Sequence, residues 1–145
     1  MKETVIQLLT AFLGSLGFSV LFGLRRRYLI AASLGGMAGW GLYLLVLALT
    51  EESFIACLAA SAFAGVYAEL LARRFKAPAT LFLIPAIVPM VPGGSLYYAM
   101  SYAVRGQRPE ARQAAVTTLK LALAIASGIS FVTACRELRA KRSGR

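Results

Sequence analysis

Apolar residues run along this chain in five long blocks, separated by short polar or charged stretches. The blocks cover residues 5–24, 29–49, 54–71, 79–104 and 114–135. A transmembrane helix needs about 20 consecutive apolar residues, so each block is long enough to cross a bilayer. The pattern predicts an all-α, multi-pass integral membrane protein whose five transmembrane helices form a single transmembrane domain, residues 1–145. The first block is too long for the apolar region of a signal peptide and lacks a convincing cleavage site, so we expect it to stay in the protein.

Composition agrees with a protein that lies in a lipid bilayer. Hydrophobic residues make up 59% of the chain and charged residues 15%. The net charge of +10 would indicate nucleic acid in a soluble protein, but here the basic residues stand at the ends of apolar blocks, so no nucleic-acid partner is expected. Histidine is absent and the two cysteines, Cys57 and Cys135, are predicted at opposite membrane faces. We therefore expect no disulfide, no metal site of the Cys/His type and no cofactor.

The basic residues predict the orientation of the helices. With five crossings, one face receives Arg25, Arg26, Arg27, Arg73, Arg74, Lys76, Arg136, Arg139, Lys141, Arg142 and Arg145. The other face receives only Lys2, Arg105, Arg108 and Arg112. Cytoplasmic loops carry the excess of Lys and Arg, so the N-terminus is predicted outside and the basic tail, residues 136–145, inside. The alternative is a re-entrant fourth block, which would leave that tail outside.

Small residues recur four positions apart in the second and third blocks. Gly35 and Gly39 are one such pair, and Ser61 and Gly65 are another. This spacing lets helix backbones approach closely in a membrane, where packing drives association. It predicts tight packing within the chain, with a contact in a homo-oligomer as the alternative.

The fourth block contains the sequence IPAIVPMVPGG at residues 84–94, which is unfavourable for a continuous helix. A proline removes the hydrogen bond to the carbonyl four residues earlier and disfavours helical angles in the residue before it. The prolines are Pro85, Pro89 and Pro92, and the carbonyls that they would leave free are those of Leu81, Pro85 and Val88. The motif therefore predicts a break in the fourth transmembrane helix.

The residues after the prolines predict how the two halves are joined. Gly93 and Gly94 are expected to take positive φ and end the first half, and Ser95 is expected to be the N-cap of a second half, residues 96–104. Free backbone groups at membrane depth survive only where protein or a water-filled cavity covers them. Broken helices of this kind form substrate sites in transporters.

Two charged residues fall inside apolar blocks. Lys120 is predicted ~10 Å inside the outer membrane edge, close to the depth of the break. It can pair with a substrate carboxylate, with Thr117 and Ser127 on a similar helix face, or its long stem can reach the outer surface instead. Glu69 is the only acidic residue within a block, and it is either a proton-coupling carboxylate or the ion-pair partner of Arg73, four residues later.

Residues 84–100, IPAIVPMVPGGSLYYAM, closely resemble the proline-rich signature of the threonine/serine exporter family. The pattern carries over onto Pro85, Pro89, Pro92, Gly93, Gly94 and Tyr97. The resemblance implies secondary export of small polar metabolites across the bacterial cytoplasmic (inner) membrane, driven by the proton gradient. The length and the five blocks resemble the smaller subunit of split members, whose partner is a larger protein with a soluble N-terminal domain and five further spans.

The principal hypothesis is therefore a membrane subunit of a threonine/serine-type exporter. In it the freed carbonyls accept the substrate ammonium, and the second half-helix faces the carboxylate with help from Ser95, Tyr97 and Lys120. Export of a dicarboxylate such as succinate in the same arrangement is one alternative, and a non-transporting membrane scaffold is another. No catalytic triad, phosphate-binding glycine loop or carboxylate pair is visible, so an enzyme is not expected.

Overall fold

The structure is a computed structural model that describes residues 2–143, and the side chains of residues 2–138. Its α-helices are α1 (Lys2–Leu21), α2 (Arg26–Thr50), α3 (Ser53–Phe75), α4 (Thr80–Ile87), α5 (Gly93–Val104) and α6 (Arg108–Ser143), with a 3₁₀ turn at Val88–Met90. Within residues 2–143 there is no β-strand, in agreement with the predicted all-α fold. Of the predicted basic tail, Arg145 and the side chains of Arg139, Lys141 and Arg142 lie outside the described residues.

Four helices of the described chain are long and apolar enough to cross a membrane: α1, α2, α3 and the part Arg108–Leu138 of α6. The segment Thr80–Met90 and α5 pass the same test only together, and they are bent by 51° relative to each other. Residues 2–143 therefore contain four membrane-length helices, or five spans when the bent pair counts as one. This agrees with the predicted class of membrane protein.

Several helices begin and end a few residues away from the apolar blocks. α1 stops at Leu21, before the end of the first block, because Gly23 adopts φ 67° in the turn that follows. α6 starts at Arg108, six residues before the fifth block, and Pro109 occupies its first turn, where the missing amide hydrogen is not needed. Hydrophobicity marks the part of a helix inside the bilayer, whereas turn and cap residues mark where the helix ends.

α3 and α6 lie side by side and run in the same direction. In the first half of α3, the Ser61 hydroxyl is 3.3 Å from the carbonyl oxygen of Ala124. Near its end, the Glu69 carboxylate is 3.7 Å from the guanidinium of Arg136. Residues further along α3 therefore contact residues further along α6, which occurs only when neighbouring helices run parallel.

The small residues of α2 allow close contact with other helices of the same chain. A Cβ on Gly35 would lie 2.6 Å from a ring carbon of Tyr67 in α3. A Cβ on Gly36 would lie 3.1 Å from the carbonyl oxygen of Pro85 in α4 and would collide with Ser15 of α1. The predicted small-residue packing is therefore found within the chain, and α2 is the helix on which α1, α3 and α4 assemble.

The first half of the broken segment is anchored in this core. Phe82 of α4 is fully buried, and its ring packs against Tyr28 and Phe75 at centroid distances of 5.6 and 5.8 Å. α5 leaves that core and packs mainly on α6 instead. The break consequently separates a half that packs on α2 and α3 from a half that packs on α6.

Candidate functional site

The fourth apolar block is broken at the proline motif, as the sequence predicts. After α4, the 3₁₀ turn Val88–Met90 leads to an extended residue, Val91, and α5 begins at Gly93. The Val91 amide donates a hydrogen bond to the carbonyl oxygen of Val88 at 3.2 Å. The prediction that this carbonyl is free is therefore wrong, because a 3₁₀ turn takes its donor from three residues later rather than four.

The carbonyl of Pro85 faces the contact between α1 and α2. In a regular helix this carbonyl would accept a hydrogen bond from the amide of residue 89, but Pro89 has no amide hydrogen. The carbonyl oxygen lies 3.1 Å from the position that a Cβ on Gly36 would occupy. The hydroxyl of Ser15 lies against the same place. Ser15 is fully buried, and its Oγ has no hydrogen-bond partner in the described part of the chain. The break thus brings a backbone carbonyl and an unpaired hydroxyl together inside the protein.

Gly93 and Gly94 start the second half-helix instead of ending the first. Positive φ among the described glycines occurs at other positions, so that prediction is wrong. The turn is made by Val91 and Pro92, and Pro92 rather than Ser95 is the N-cap of α5. A Cβ on either glycine would meet no atom within 4 Å, which leaves the backbone of this turn facing open space.

A pair of hydroxyl groups joins the second half-helix to α6. The Thr118 hydroxyl has two acceptors within reach, the Ser95 Oγ at 3.0 Å and the carbonyl oxygen of Ala114 in its own helix at 2.8 Å. Ser95 donates to the carbonyl oxygen of Pro92 at 3.1 Å. Ser95 therefore lies at the break as predicted, although in another role. Thr118 was not predicted, because nothing in the local pattern distinguishes it from its neighbour Thr117.

A cleft of about 300 Å³ lies between α5 and α6. It is lined by Ser95, Tyr98, Tyr102, Glu110, Gln113, Ala114 and Thr117. The rings of Tyr98 and Tyr102 stack at a centroid distance of 6.1 Å, as residues four apart on one helix face can. Tyr97, which the family pattern singles out, does not line this cleft and is 67% exposed.

Lys120 lines a recess of about 450 Å³ beside the turn between α2 and α3. The other lining residues are Glu51, Glu52, Ser53, Phe54, Thr117 and Leu121. Ser127, predicted on a similar helix face, does not line the recess. The two carboxylates and the ammonium of this recess can pair with both charges of a zwitterion. Among the described residues, no group of three cysteine or acidic side chains could hold a metal ion. Thr117 also lines the α5–α6 cleft, so this residue borders both spaces.

Glu69 forms an ion pair with Arg136 rather than with Arg73. The carboxylate and guanidinium are 3.7 Å apart, and their side chains are 17% and 56% exposed. The predicted pairing with Arg73 assumed that the nearest basic residue on the same helix is the partner. Because α6 runs parallel to α3, it brings Arg136 beside Glu69, and local sequence spacing does not predict that contact.

One of three comparisons with known proteins identifies a family for this chain. The sequence model of the family described as "Threonine/Serine exporter, ThrE" matches residues 7–135. The match includes all of α2 to α5, together with most of α1 and the apolar part of α6. No curated protein and no solved structure matches the chain. The chain belongs to the threonine/serine exporter family, which is a family of membrane transporters and not of enzymes.

Proposed function

We propose that this chain is the small membrane subunit of a secondary exporter of threonine- or serine-type amino acids and works with a larger partner subunit. Family membership supports export of this kind. The observation that carries the proposal is the break between α4 and α5, where the backbone at Gly93 and Gly94 faces open space beside the hydroxyls of Ser95 and Thr118. Discontinuous helices expose backbone groups for polar solutes in many transporters.

The parallel arrangement of α3 and α6 supports five crossings of the membrane. Two helices that cross in the same direction need one crossing in the opposite direction between them, which α4 and α5 together supply. A re-entrant pair would return the chain to the same face, and α6 would then run antiparallel to α3. We propose a single domain of five spans in the bacterial inner membrane, with the N-terminus outside and the basic tail in the cytoplasm.

The charges of the Lys120 recess favour an amino acid over a dicarboxylate. An amino acid carries an ammonium group for Glu51 or Glu52 and a carboxylate for Lys120. A dicarboxylate such as succinate would bring a second negative charge toward the two glutamates, and like charges in contact are unfavourable. Succinate-type export in the same arrangement is the alternative.

The prolines and glycines of the motif act through the backbone in this proposal. Pro85, Pro89 and Pro92 interrupt the helical hydrogen bonds, and the small size of Gly93 and Gly94 lets a solute approach the chain. Tyr97 serves the same pathway from the outer face of α5, where its exposed ring is available to the larger subunit.

Glu69 is the proposed coupling site for protons. It is the acidic residue that lies within a span, and its pairing with Arg136 joins α3 to α6. Protonation would remove the attraction between these helices and so connect the proton gradient to their separation.

Metabolite release from cells tests the function. Cells that contain this chain, its larger partner, both or neither are loaded with labelled threonine, serine or succinate. Release of threonine and serine is expected only with both subunits. Equal release from all four strains would favour a membrane scaffold, and release of succinate alone would favour the dicarboxylate alternative.

Variants at the break test the mechanism in the same assay. Pro92→Ala and Gly93→Leu are expected to abolish release while the amount of protein in the membrane stays normal. A Cβ at Gly93 meets no atom within 4 Å, so we attribute loss of release in Gly93→Leu to blocked access rather than to a clash at the backbone. Gly14→Leu in α1 is the matched control, because a Cβ there also meets nothing within 4 Å. Full release by both break variants would rule out this mechanism, and normal release by Lys120→Met would leave Lys120 without a part in it.

A further inference from the structure

A separate polar cavity lies at the other end of α3 from the Lys120 recess. Its volume is about 400 Å³, and it is bordered by the last turns of α3, the chain leading into α4, and α6. The lining residues are Glu69, Ala72, Arg73, Lys76, Ala77, Pro78, Ala79 and Arg136. Neither the family pattern nor the proposed export mechanism assigns a ligand to this cavity as a whole.

The cavity carries an excess of positive charge. Three of its lining side chains are cations and one is a carboxylate. The carboxylate, Glu69, is 3.7 Å from Arg136, so these two charges largely compensate each other. Arg73 and Lys76 then leave a net charge of about +2 facing the cavity. An anion is therefore the ligand that this space would attract.

The position of the cavity matches the level of lipid phosphates. The apolar block of α3 ends at Leu71, and the basic residues follow immediately. Lys76, with φ 51°, turns the chain out of α3, and α4 starts at Thr80 on its way back into the core. The cavity thus opens where the chain leaves the hydrocarbon region and enters the interfacial layer.

The uncharged part of the lining indicates which ligand fits the cavity better, an amino acid or a phosphodiester. It consists of Ala72, Ala77, Pro78 and Ala79, whose side chains have no hydrogen-bonding groups. An amino acid would need an acceptor for its ammonium group, and the carboxylate present is already paired with Arg136. A phosphodiester needs only cations for its oxygens and apolar surface for the carbon atoms attached to them. The lining therefore fits a lipid headgroup better than it fits an exported amino acid.

We propose that this cavity binds the phosphate group of an anionic phospholipid headgroup. Arg73 and Lys76 pair with the phosphate oxygens, and the alanines and Pro78 contact the glycerol carbons. Basic pockets between transmembrane helices hold anionic headgroups in this way. Arg73 and Lys76, which would hold the phosphate, have no part in the proposed export mechanism, whereas Glu69 and Arg136 of the same lining form its proposed coupling pair.

Binding to the purified full chain in a neutral detergent tests this site. The probes are dihexanoyl phosphatidylglycerol, dihexanoyl phosphatidylcholine and inorganic phosphate, each titrated by calorimetry. Phosphatidylglycerol is expected to bind more tightly than phosphatidylcholine, whose ammonium group would be repelled by Arg73 and Lys76. Arg73→Gln is expected to weaken binding of phosphatidylglycerol by about fivefold.

Arg74→Gln is the matched control, because Arg74 adjoins Arg73 at the same helix end but does not line the cavity. It removes the same charge and is expected to weaken binding less than twofold. Arg73→Lys keeps the charge and should keep the binding, which separates loss of the site from loss of folding.

Binding of phosphatidylglycerol without binding of inorganic phosphate supports a lipid site. Arg73-dependent binding of both supports a phosphate site open to free anions as well. Equal weakening by Arg73→Gln and Arg74→Gln, or no preference for phosphatidylglycerol, would overturn the proposal.

Discussion

Gly36→Ala tests how α1 and α4 are held against α2. The new Cβ would lie 2.8 Å from the Cβ of Ser15 and 3.1 Å from the carbonyl oxygen of Pro85, with the Ser15 hydroxyl closer still. A backbone carbonyl and a Cβ cannot rotate out of the way, so α1 or α4 must move away from α2. Overpacking of this kind costs typically 1–3 kcal/mol, and close contacts to two different helices lead us to expect about 2 kcal/mol.

Thermal unfolding of the purified protein in detergent, followed by the helical circular dichroism signal, measures this loss. A change of about 2 kcal/mol should lower the midpoint by about 6 °C for a chain of this size. Gly14→Ala is the control, because the added methyl group would meet nothing within 4 Å. It should leave the midpoint unchanged or raise it slightly, since alanine favours a helix over glycine.

A second substitution connects the loss to the contact itself. Ser15→Gly removes both the hydroxyl and the Cβ that the new methyl group would meet. The double variant Ser15→Gly/Gly36→Ala should therefore melt at a higher temperature than Gly36→Ala alone, although Ser15→Gly by itself is expected to destabilise α1. If Gly36→Ala melted like Gly14→Ala, or if Ser15→Gly gave no recovery, the close approach of the three helices would be refuted.

Three further predictions concern residues along the rest of the chain. Glu69→Gln should abolish the dependence of threonine release on external pH, and a variant with an unchanged dependence would exclude this carboxylate from coupling. Cys135 is exposed and Cys57 is buried. An impermeant maleimide should therefore label only Cys135, and only in inverted vesicles, whereas labelling of intact cells would reverse the proposed orientation. Thr118→Val removes the hydroxyl pair between α5 and α6 and should lower the unfolding free energy by about 0.6 kcal/mol, measured by denaturation in mixed micelles. Thr133→Val, whose hydroxyl bonds only within its own helix, should have a smaller effect.

The features that local chemistry determines are the ones that the sequence predicts. Apolar length marks the membrane helices, and the missing amide hydrogens of the prolines mark the break, because both effects act within a few residues. The details of the joint were not predictable from the same rules. Glycine is common at helix ends, yet the turn is made at Val91 and Pro92, and Gly93 and Gly94 enter α5.

Contacts between side chains that are distant in the sequence were not predictable from local patterns. Glu69 has a basic residue four positions away, and the i,i+4 rule predicts that pair. Its partner in the structure is 67 positions away in the sequence, on a helix whose direction depends on the whole topology. Lys120 likewise lines one recess with Glu51 and Glu52, although no spacing rule connects these positions in the sequence.

The uninterrupted length of α6 has a mechanical consequence. Lys120 and Arg136 stand on the same rod, sixteen residues or ~24 Å apart. A tilt of about 10° around the point midway between them would move each residue by about 2 Å, in opposite directions. The Lys120 recess and the ion pair between Glu69 and Arg136 therefore cannot be adjusted separately, because widening one by such a tilt changes the other in the same motion.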